Sequence, residues 1–184
     1  MAGEYVFTLN HLSKQYDHLT VLDDITLAFF FGAKIGVIGG NGAGKSSLLK
    51  VIAGLDKEYH GECIVASGVR VGYLSQEPQL DETKDVAGNV ADGAAAAQAI
   101  LDRYDELCGK LGEALSDAES EKLNHELGKL QDLIDSRDLW SLDSQIERAM
   151  DALRLPPGDA DVRKLSGGEK RRVALCRLLL SNPD

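Results

Sequence analysis

Eight residues constrain this chain more than any others: Gly39-Gly40-Asn41-Gly42-Ala43-Gly44-Lys45-Ser46. Glycines take positive φ and let another group approach the backbone with no Cβ in the way. The amides of such a loop turn inward as an anion nest, and a helix starting at its end adds about half a positive charge. In the pattern G-x-x-x-x-G-K-[ST], Lys45 then reaches the β- and γ-phosphates of a nucleotide, and the Ser46 hydroxyl is placed to ligate Mg2+. The context agrees. Ile35, Val37 and Ile38 predict a short strand over Lys34–Ile38, and after Gly44 the period becomes helical, with Leu48, Leu49, Ile52 and Leu55 on one face and Gly54 near its end. The pattern alone arises by chance on the order of once in a hundred chains of this length, so a phosphate-binding loop is expected.

Before the loop, Tyr5, Phe7 and Leu9 alternate, and so do Ile25, Leu27 and Phe29, which predicts two strands. Two more β-like runs follow, Cys63–Ala66 and Val69–Leu74, parted by Ser67-Gly68. Past Pro78 the character turns helical. Ala94–Ala97 favour a helix, and Leu101, Tyr104, Cys108, Leu111 and Leu115 mark its apolar stripe. Ser116-Asp-Ala-Glu119 has the form of a capping box, after which Leu123, Leu127, Leu130 and Ile134 continue at helical spacing. An antiparallel helix pair is expected, about 20 residues and roughly 30 Å per arm, broken at Gly112–Ser116. Packing alone accounts for such stripes, and Gly109, Gly112 and Gly128 weaken long helices. A third helix is expected through Leu142, Ile146, Ala149, Met150 and Leu153, stopping at Pro156-Pro157.

Charge separates that helical stretch from the rest. The chain carries a net charge of −10, and residues 92–150 hold 14 acidic against six basic side chains. The excess argues against non-specific nucleic-acid binding by the whole chain. It does not oppose a phosphate loop elsewhere, because charges beyond the roughly 8 Å Debye length are screened. Cys63, Cys108 and Cys176 are far apart and odd in number, with neither zinc nor redox spacing, and read as reduced thiols. No run approaches the roughly 18 apolar residues of a membrane span, and Glu4 stands where a secretory signal wants a base. A cytoplasmic protein with no membrane partner is the default expectation.

A second motif narrows the class. Leu165-Ser166-Gly167-Gly168-Glu169 leads into Lys170-Arg171-Arg172-Val173-Ala174-Leu175. Ser166 can cap a helix here, the glycines leave amides open to an anion, and Val173, Leu175, Leu178 and Leu179 are expected on its buried face. With these residues in order, the chain resembles the ATP-binding cassette family. The resemblance implies an α/β fold: a P-loop nucleotide-binding domain with an antiparallel β subdomain. Leu165–Glu169 resembles the signature loop, which in the family serves a second ATP site in trans on another cassette. Gln76, in Tyr73-Leu-Ser-Gln-Glu-Pro, resembles the Q-loop glutamine that approaches Mg2+ and the attacking water. Tyr16, ahead of Val21-Leu22, resembles the aromatic that stacks on adenine, its plainer alternative being a strand-end tyrosine. The implied ATP site comprises Tyr16, Gly39, Gly40, Asn41, Gly42, Ala43, Gly44, Lys45, Ser46 and Ser47, with Ser46 and Gln76 toward Mg2+ and Lys45 and Gln76 in catalysis. The basic run Lys170–Arg172 reads as a solvated face rather than a nucleic-acid patch.

Leu165 stands 89 positions after Gln76, a longer span than a transporter cassette spends there. The excess, residues 92–138, resembles the helical arm inserted in the ABC-F group, tandem-cassette proteins that act on the ribosome. Segments such as Val71-Gly-Tyr-Leu-Ser-Gln-Glu-Pro and Arg148-Ala-Met-Asp-Ala-Leu-Arg-Leu-Pro are similar to that group, while Phe31 replaces its usual proline and Ser47 its common threonine. The implied organisation is a core at 1–91, the arm at 92–138, and a helical subdomain with the signature helix at 139–184. The implied function is ATP hydrolysis tied to translation, with ribosomal protein, rRNA or tRNA met by the arm, and a second ABC domain in the same full-length chain. An acidic arm is unusual for RNA contact; Arg103, Lys110 or Lys122 at a tip, or a basic ribosomal protein, would reconcile it. The alternative is the nucleotide-binding subunit of a membrane transporter. In either family setting the Walker B aspartate, the catalytic glutamate and a switch histidine would follow Asp184. The chain as it stands is therefore expected to be a truncated piece without its general base, inactive in hydrolysis by itself.

Overall fold

A single extra residue shapes the first strand. In the computed structural model, which describes residues 5–111 and 116–184, β1 (Tyr5–Tyr16) pairs antiparallel with β2 (Leu19–Phe30) and with β3 (His60–Val65), in the order β2-β1-β3. From Leu9 to Leu12, β1 advances three residues while β2 advances two, Leu27 to Ile25. His11 takes up the difference at φ 48°, which is a β-bulge. The inward set therefore changes phase: Leu9 is buried, and beyond the bulge Leu12 and Lys14 are buried. A period-2 reading of Tyr5, Phe7 and Leu9 does not carry past His11.

This sheet, helix α1 (Lys45–Ile52) and the connecting loops form one unit, up to Tyr73 and including Pro183–Asp184. Its core is Leu9, Leu12, Leu22, Leu48 and Val51, with Ile25, Phe29 and Ile52 packed around it. Full burial of each such aliphatic side chain stabilises by about 1.5–3 kcal/mol. The predicted helical face is partly corrected. Leu48 and Val51 point into the core, whereas Leu49 and Leu55 are exposed, because eight residues give two turns and only one narrow stripe meets the sheet. Gly54 at φ 69° ends the helix: its amide bonds Val51 O and the Leu55 amide bonds Lys50 O, the paired bonds of a Schellman turn.

Two expected strands are not strands. Lys34–Ile38 and Val69–Leu74 have no ladder partner among the described residues, and a strand exists only beside one. Ile35, Val37, Val69 and Val71 instead line an apolar groove of about 530 Å³ with Phe29, Phe30 and Phe31.

The second unit, Leu74–Asn182, is helical. It contains α2 (Val86–Ala91), α3 (Ala95–Lys110), α4 (Asp117–Ser136), α5 (Leu142–Ala152) and α6 (Gly167–Leu180). Val86, Val90, Val162, Val173 and Cys176 form its core, with Ile146, Met150, Leu153 and Leu165 against them. Buried Asn89 staples the chain ahead of α2: its Oδ1 accepts from the Asp81 amide at 2.8 Å and its Nδ2 donates to Asp81 O and Asp85 O at 3.0 Å. The sequence patterns leave α2 unread, since it has only six residues.

Helix α4 has the expected 20 residues, while α3 has 16 and ends at Lys110, leaving the expected stripe residue Leu111 exposed beyond it; the two pack side by side. The Arg103 guanidinium reaches Glu126 Oε1 at 2.8 Å, and the Tyr104 and Trp140 rings meet edge-on at 5.5 Å. Leu123, Leu127 and Leu130 are half-buried and Ile134 is buried. Leu107, absent from the predicted stripe, is buried in α3. At the start of α4 the Glu119 carboxylate accepts from the Ser116 amide at 3.0 Å, as the capping box requires. The rest of the expected break, Gly112–Leu115, lies outside the described residues. Gly109 and Gly128 are exposed inside their helices, where a glycine costs only about 1 kcal/mol relative to alanine.

Among the described glycines of this unit the closest backbone approach is at Gly93, where a Cβ would stand 2.1 Å from the Arg177 carbonyl oxygen of α6. Gly93→Ala should destabilise the unit by about 1–3 kcal/mol or more, read as a lower thermal midpoint, while Gly109→Ala, with open space around it, should not.

Candidate functional site

The first unit carries the glycine loop. Gly44 is the N-cap of α1 at φ 81°, and a Cβ there would lie 2.4 Å from the Val21 carbonyl oxygen. Only glycine allows α1 to sit this close to β2. Gly40 meets nothing within 4 Å of its Cβ direction, so that face of the loop is open to an incoming group. No side chain caps the helix, and no acidic residue lies in its first turn. The first amides of α1 thus keep their donors for a ligand, and the macrodipole is not countered.

Lys45 Nζ lies back across the loop, donating to Gly39 O at 2.9 Å and Gly40 O at 2.6 Å. These are carbonyl acceptors, which an anion would outcompete for an ammonium. Ser46 is exposed and Ser47 half-buried. Open glycine backbone, free helix-start amides, an ammonium and an exposed hydroxyl suit a polyphosphate with a hard cation. Tyr16, the last residue of β1, belongs to the same cluster: its hydroxyl lies 3.4 Å from Ser47 Oγ and 3.3 Å from Asp56 Oδ2.

The second unit carries the other predicted residues. Ser166 caps α6, its Oγ accepting from the Glu169 amide at 3.3 Å, while the Glu169 carboxylate accepts from the Ser166 amide at 2.8 Å. That hydroxyl and amide hold the Glu169 carboxyl below the usual range. The turn before it is pinned by Asp161, whose carboxyl the Arg163 guanidinium holds down at about 2. Gly167 and Gly168 remain exposed at the helix start, sharing a groove of about 560 Å³ with Gln76, Glu77, Lys170 and Arg171. Gln76 and the Leu165–Glu169 loop are thus brought together.

The basic run is solvated as expected at Arg171 and Arg172, both exposed, with one correction: Arg171 is also a tether, its Nε donating to Gln76 O at 2.6 Å, and six residues further on Arg177 Nη2 donates to Gln79 O at 3.0 Å. Two guanidiniums of α6 hold the backbone of the Gln76 segment. A run of bases says nothing of which neighbour it meets, so this was not legible beforehand. The buried face of α6 is corrected too: Val173, Ala174 and Cys176 are buried, while Leu179 is exposed. Lys14 and Asp56 were also missed. A lysine alternating with Leu12 and Tyr16 was the available signal.

A glycine loop on a helix N-terminus beside a small antiparallel sheet, followed by a capped Ser-Gly-Gly-Glu helix, defines a P-loop nucleotide-binding protein of the cassette type. The family model described as ABC transporter matches residues 22–184, and the chain belongs to that family. It is 50% identical over 182 residues to the energy-dependent translational throttle protein EttA of Mycobacterium tuberculosis (strain H37Rv), covering 99% of this chain and 32% of that protein. It is 44% identical over 183 residues to EttA of Escherichia coli (strain K12), covering 99% and 33%. The chain thus spans about a third of the length of the curated relatives it matches. A solved ATP-binding subunit of an ABC transporter superposes with TM-score 0.60 at 22% identity, over 97% of this chain and 63% of that one, and shows the fold. Among the described residues no helix is long and apolar enough to cross a membrane.

Arg171→Ala should free the Gln76 backbone. The expected result is faster amide hydrogen exchange from Glu77 to Gln79 with a global stability loss of only about 1 kcal/mol; unchanged exchange would deny the tether.

Proposed function

We propose that this chain is the nucleotide-binding front part of an ABC-F protein that binds ATP and Mg2+, hydrolyses ATP when complete, and acts on the ribosome to regulate translation. The observation that carries this reading is identity of 44–50% over 99% of the chain to proteins named for energy-dependent throttling of translation. No observation of like weight favours a transporter subunit.

In this reading the backbone of Gly39, Gly40, Asn41, Gly42, Ala43 and Gly44 wraps the phosphate chain, and Lys45 exchanges its two carbonyl partners for phosphate oxygens. Ser46 offers its hydroxyl to Mg2+, Ser47 stands behind it, and Tyr16 stacks on the base. By its resemblance to the Q-loop glutamine, Gln76 would serve Mg2+ and the attacking water, and within its own unit Arg171 orients its backbone from α6. Leu165, Ser166, Gly167, Gly168 and Glu169 serve the ATP held by a second ABC domain. Bound Mg-ATP supplies the scissile anhydride and a cation to neutralise its charge; the protein supplies position and preorganised donors. The division into a core at 1–91, an arm at 92–138 and a signature subdomain at 139–184 belongs to the same proposal. With its acidic surface, the arm is matched to a basic ribosomal protein better than to bare RNA.

Lys45→Ala should reduce ATP affinity by at least tenfold by isothermal calorimetry, since it removes a charge-assisted contact worth about 1.5–3 kcal/mol; unchanged affinity would reject the loop assignment. In the full-length protein, deleting 92–138 should leave ATP binding intact and abolish co-sedimentation with ribosomes. A deletion variant that still pellets with ribosomes would remove the arm from the proposal.

A further inference from the structure

A charged lysine in a hydrophobic core needs a reason. Lys14 is 1% exposed, carried inward with Leu12 by the bulge at His11. Its ammonium has three donors, and each has a partner. One goes to Asp56 Oδ1 at 2.9 Å and one to Glu58 O at 2.7 Å. The third faces the Tyr16 ring, whose centroid is 4.6 Å from Nζ. Asp56 completes the circuit: Oδ1 also accepts from the Glu58 amide at 3.1 Å, and Oδ2 accepts from the Tyr16 hydroxyl at 3.3 Å.

Burying such a pair seldom stabilises a protein beyond what apolar side chains of equal volume would. What it does here is hold one aromatic ring. Tyr16 is 45% exposed at the end of a strand, where a side chain is ordinarily free to turn. The ammonium against one face and the carboxylate on the hydroxyl fix its tilt. A cation on one face also draws electron density from the ring, which favours stacking of an electron-rich purine on the other. The Ser47 contact ties this platform to the first turn of α1, directly beside Lys45 and Ser46. Asp56 holds the Lys14 ammonium above the ordinary lysine range, and Lys14 holds Asp56 below the carboxylate range, so both stay charged at neutral pH.

We propose that Lys14 and Asp56 are positioning residues that lock Tyr16 as the purine-stacking platform, so that this buried pair governs affinity for the base and not for the phosphate chain. The inference rests on the nucleotide-site reading above.

The test compares binding of Mg-ATP and of inorganic Mg-tripolyphosphate to the 184-residue chain, as wild type, Lys14→Met, Lys14→Met/Asp56→Asn, Tyr16→Ala and Lys14→Met/Tyr16→Ala. Loss of an aromatic stacking partner costs on the order of 5- to 100-fold in affinity, so Tyr16→Ala should weaken ATP by that factor. Lys14→Met should weaken ATP by about 3- to 10-fold, with tripolyphosphate unchanged within about twofold, and should add nothing to Tyr16→Ala. Should Lys14→Met unfold through the unpaired Asp56, the Lys14→Met/Asp56→Asn variant, which leaves no buried charge, is scored in its place and is expected to show the same base-specific loss. Equal losses for both ligands would reduce the pair to a structural role, and undiminished ATP binding would overturn the proposal. A wild-type chain that binds neither ligand would overturn the nucleotide-site reading itself; a wild type that binds both separates the two questions.

Discussion

The backbone of Gly44 lying against the carbonyl of Val21 is the contact on which the first unit depends. A Cβ at that point would stand 2.4 Å from the oxygen, so a larger residue would lift α1 off β2. With α1 seated, Leu48 and Val51 complete the core of Leu9, Leu12 and Leu22. The same seating aims the uncapped start of the helix outward and brings Ser47 within 3.4 Å of the Tyr16 hydroxyl. Packing and the proposed anion site therefore share one cause.

In the second unit the corresponding constraint is the start of α6. Ser166 and Glu169 satisfy each other's amides, which leaves Gly167 and Gly168 exposed without fraying the helix. Further along, Arg171 and Arg177 hold carbonyls of the Gln76–Gln79 segment, while Val173 and Cys176 bury the opposite face. One helix thus presents a glycine loop at its end, a tether on its flank and a core on its back. Any displacement of α6 would be felt at Gln76 and Gln79 through one charge-assisted bond each, stronger than a neutral one.

Local patterns were the legible part. The loop at Gly39–Ser46, the helix caps at Ser116 and Ser166, and the stripes of α4 and α5 all rest on residues within a turn or two of one another, so spacing alone specifies them. Where the reading failed, the deciding partner was distant in sequence. Lys34–Ile38 and Val69–Leu74 have strand composition, yet a ladder needs a neighbour, and none among the described residues supplies it. Leu49 and Leu179 are apolar and exposed because the helices they sit on meet a neighbour along a narrower stripe than periodicity indicates, and Leu55 is exposed because α1 ends before it.

By itself the sequence determined the family, the glycine loop proposed to take phosphate, and the starts of α1, α4 and α6, because each depends on backbone freedom and hydrogen bonds made within a few residues. Only the tertiary structure decided that Lys14 is buried against Asp56, 42 positions away, and that Arg171 meets Gln76 across 95. A bulge of one residue turns a strand's alternation over, and a guanidinium finds its carbonyl only after two segments have packed. Neither event leaves a local trace, since the energy that selects it comes from groups the chain brings together last.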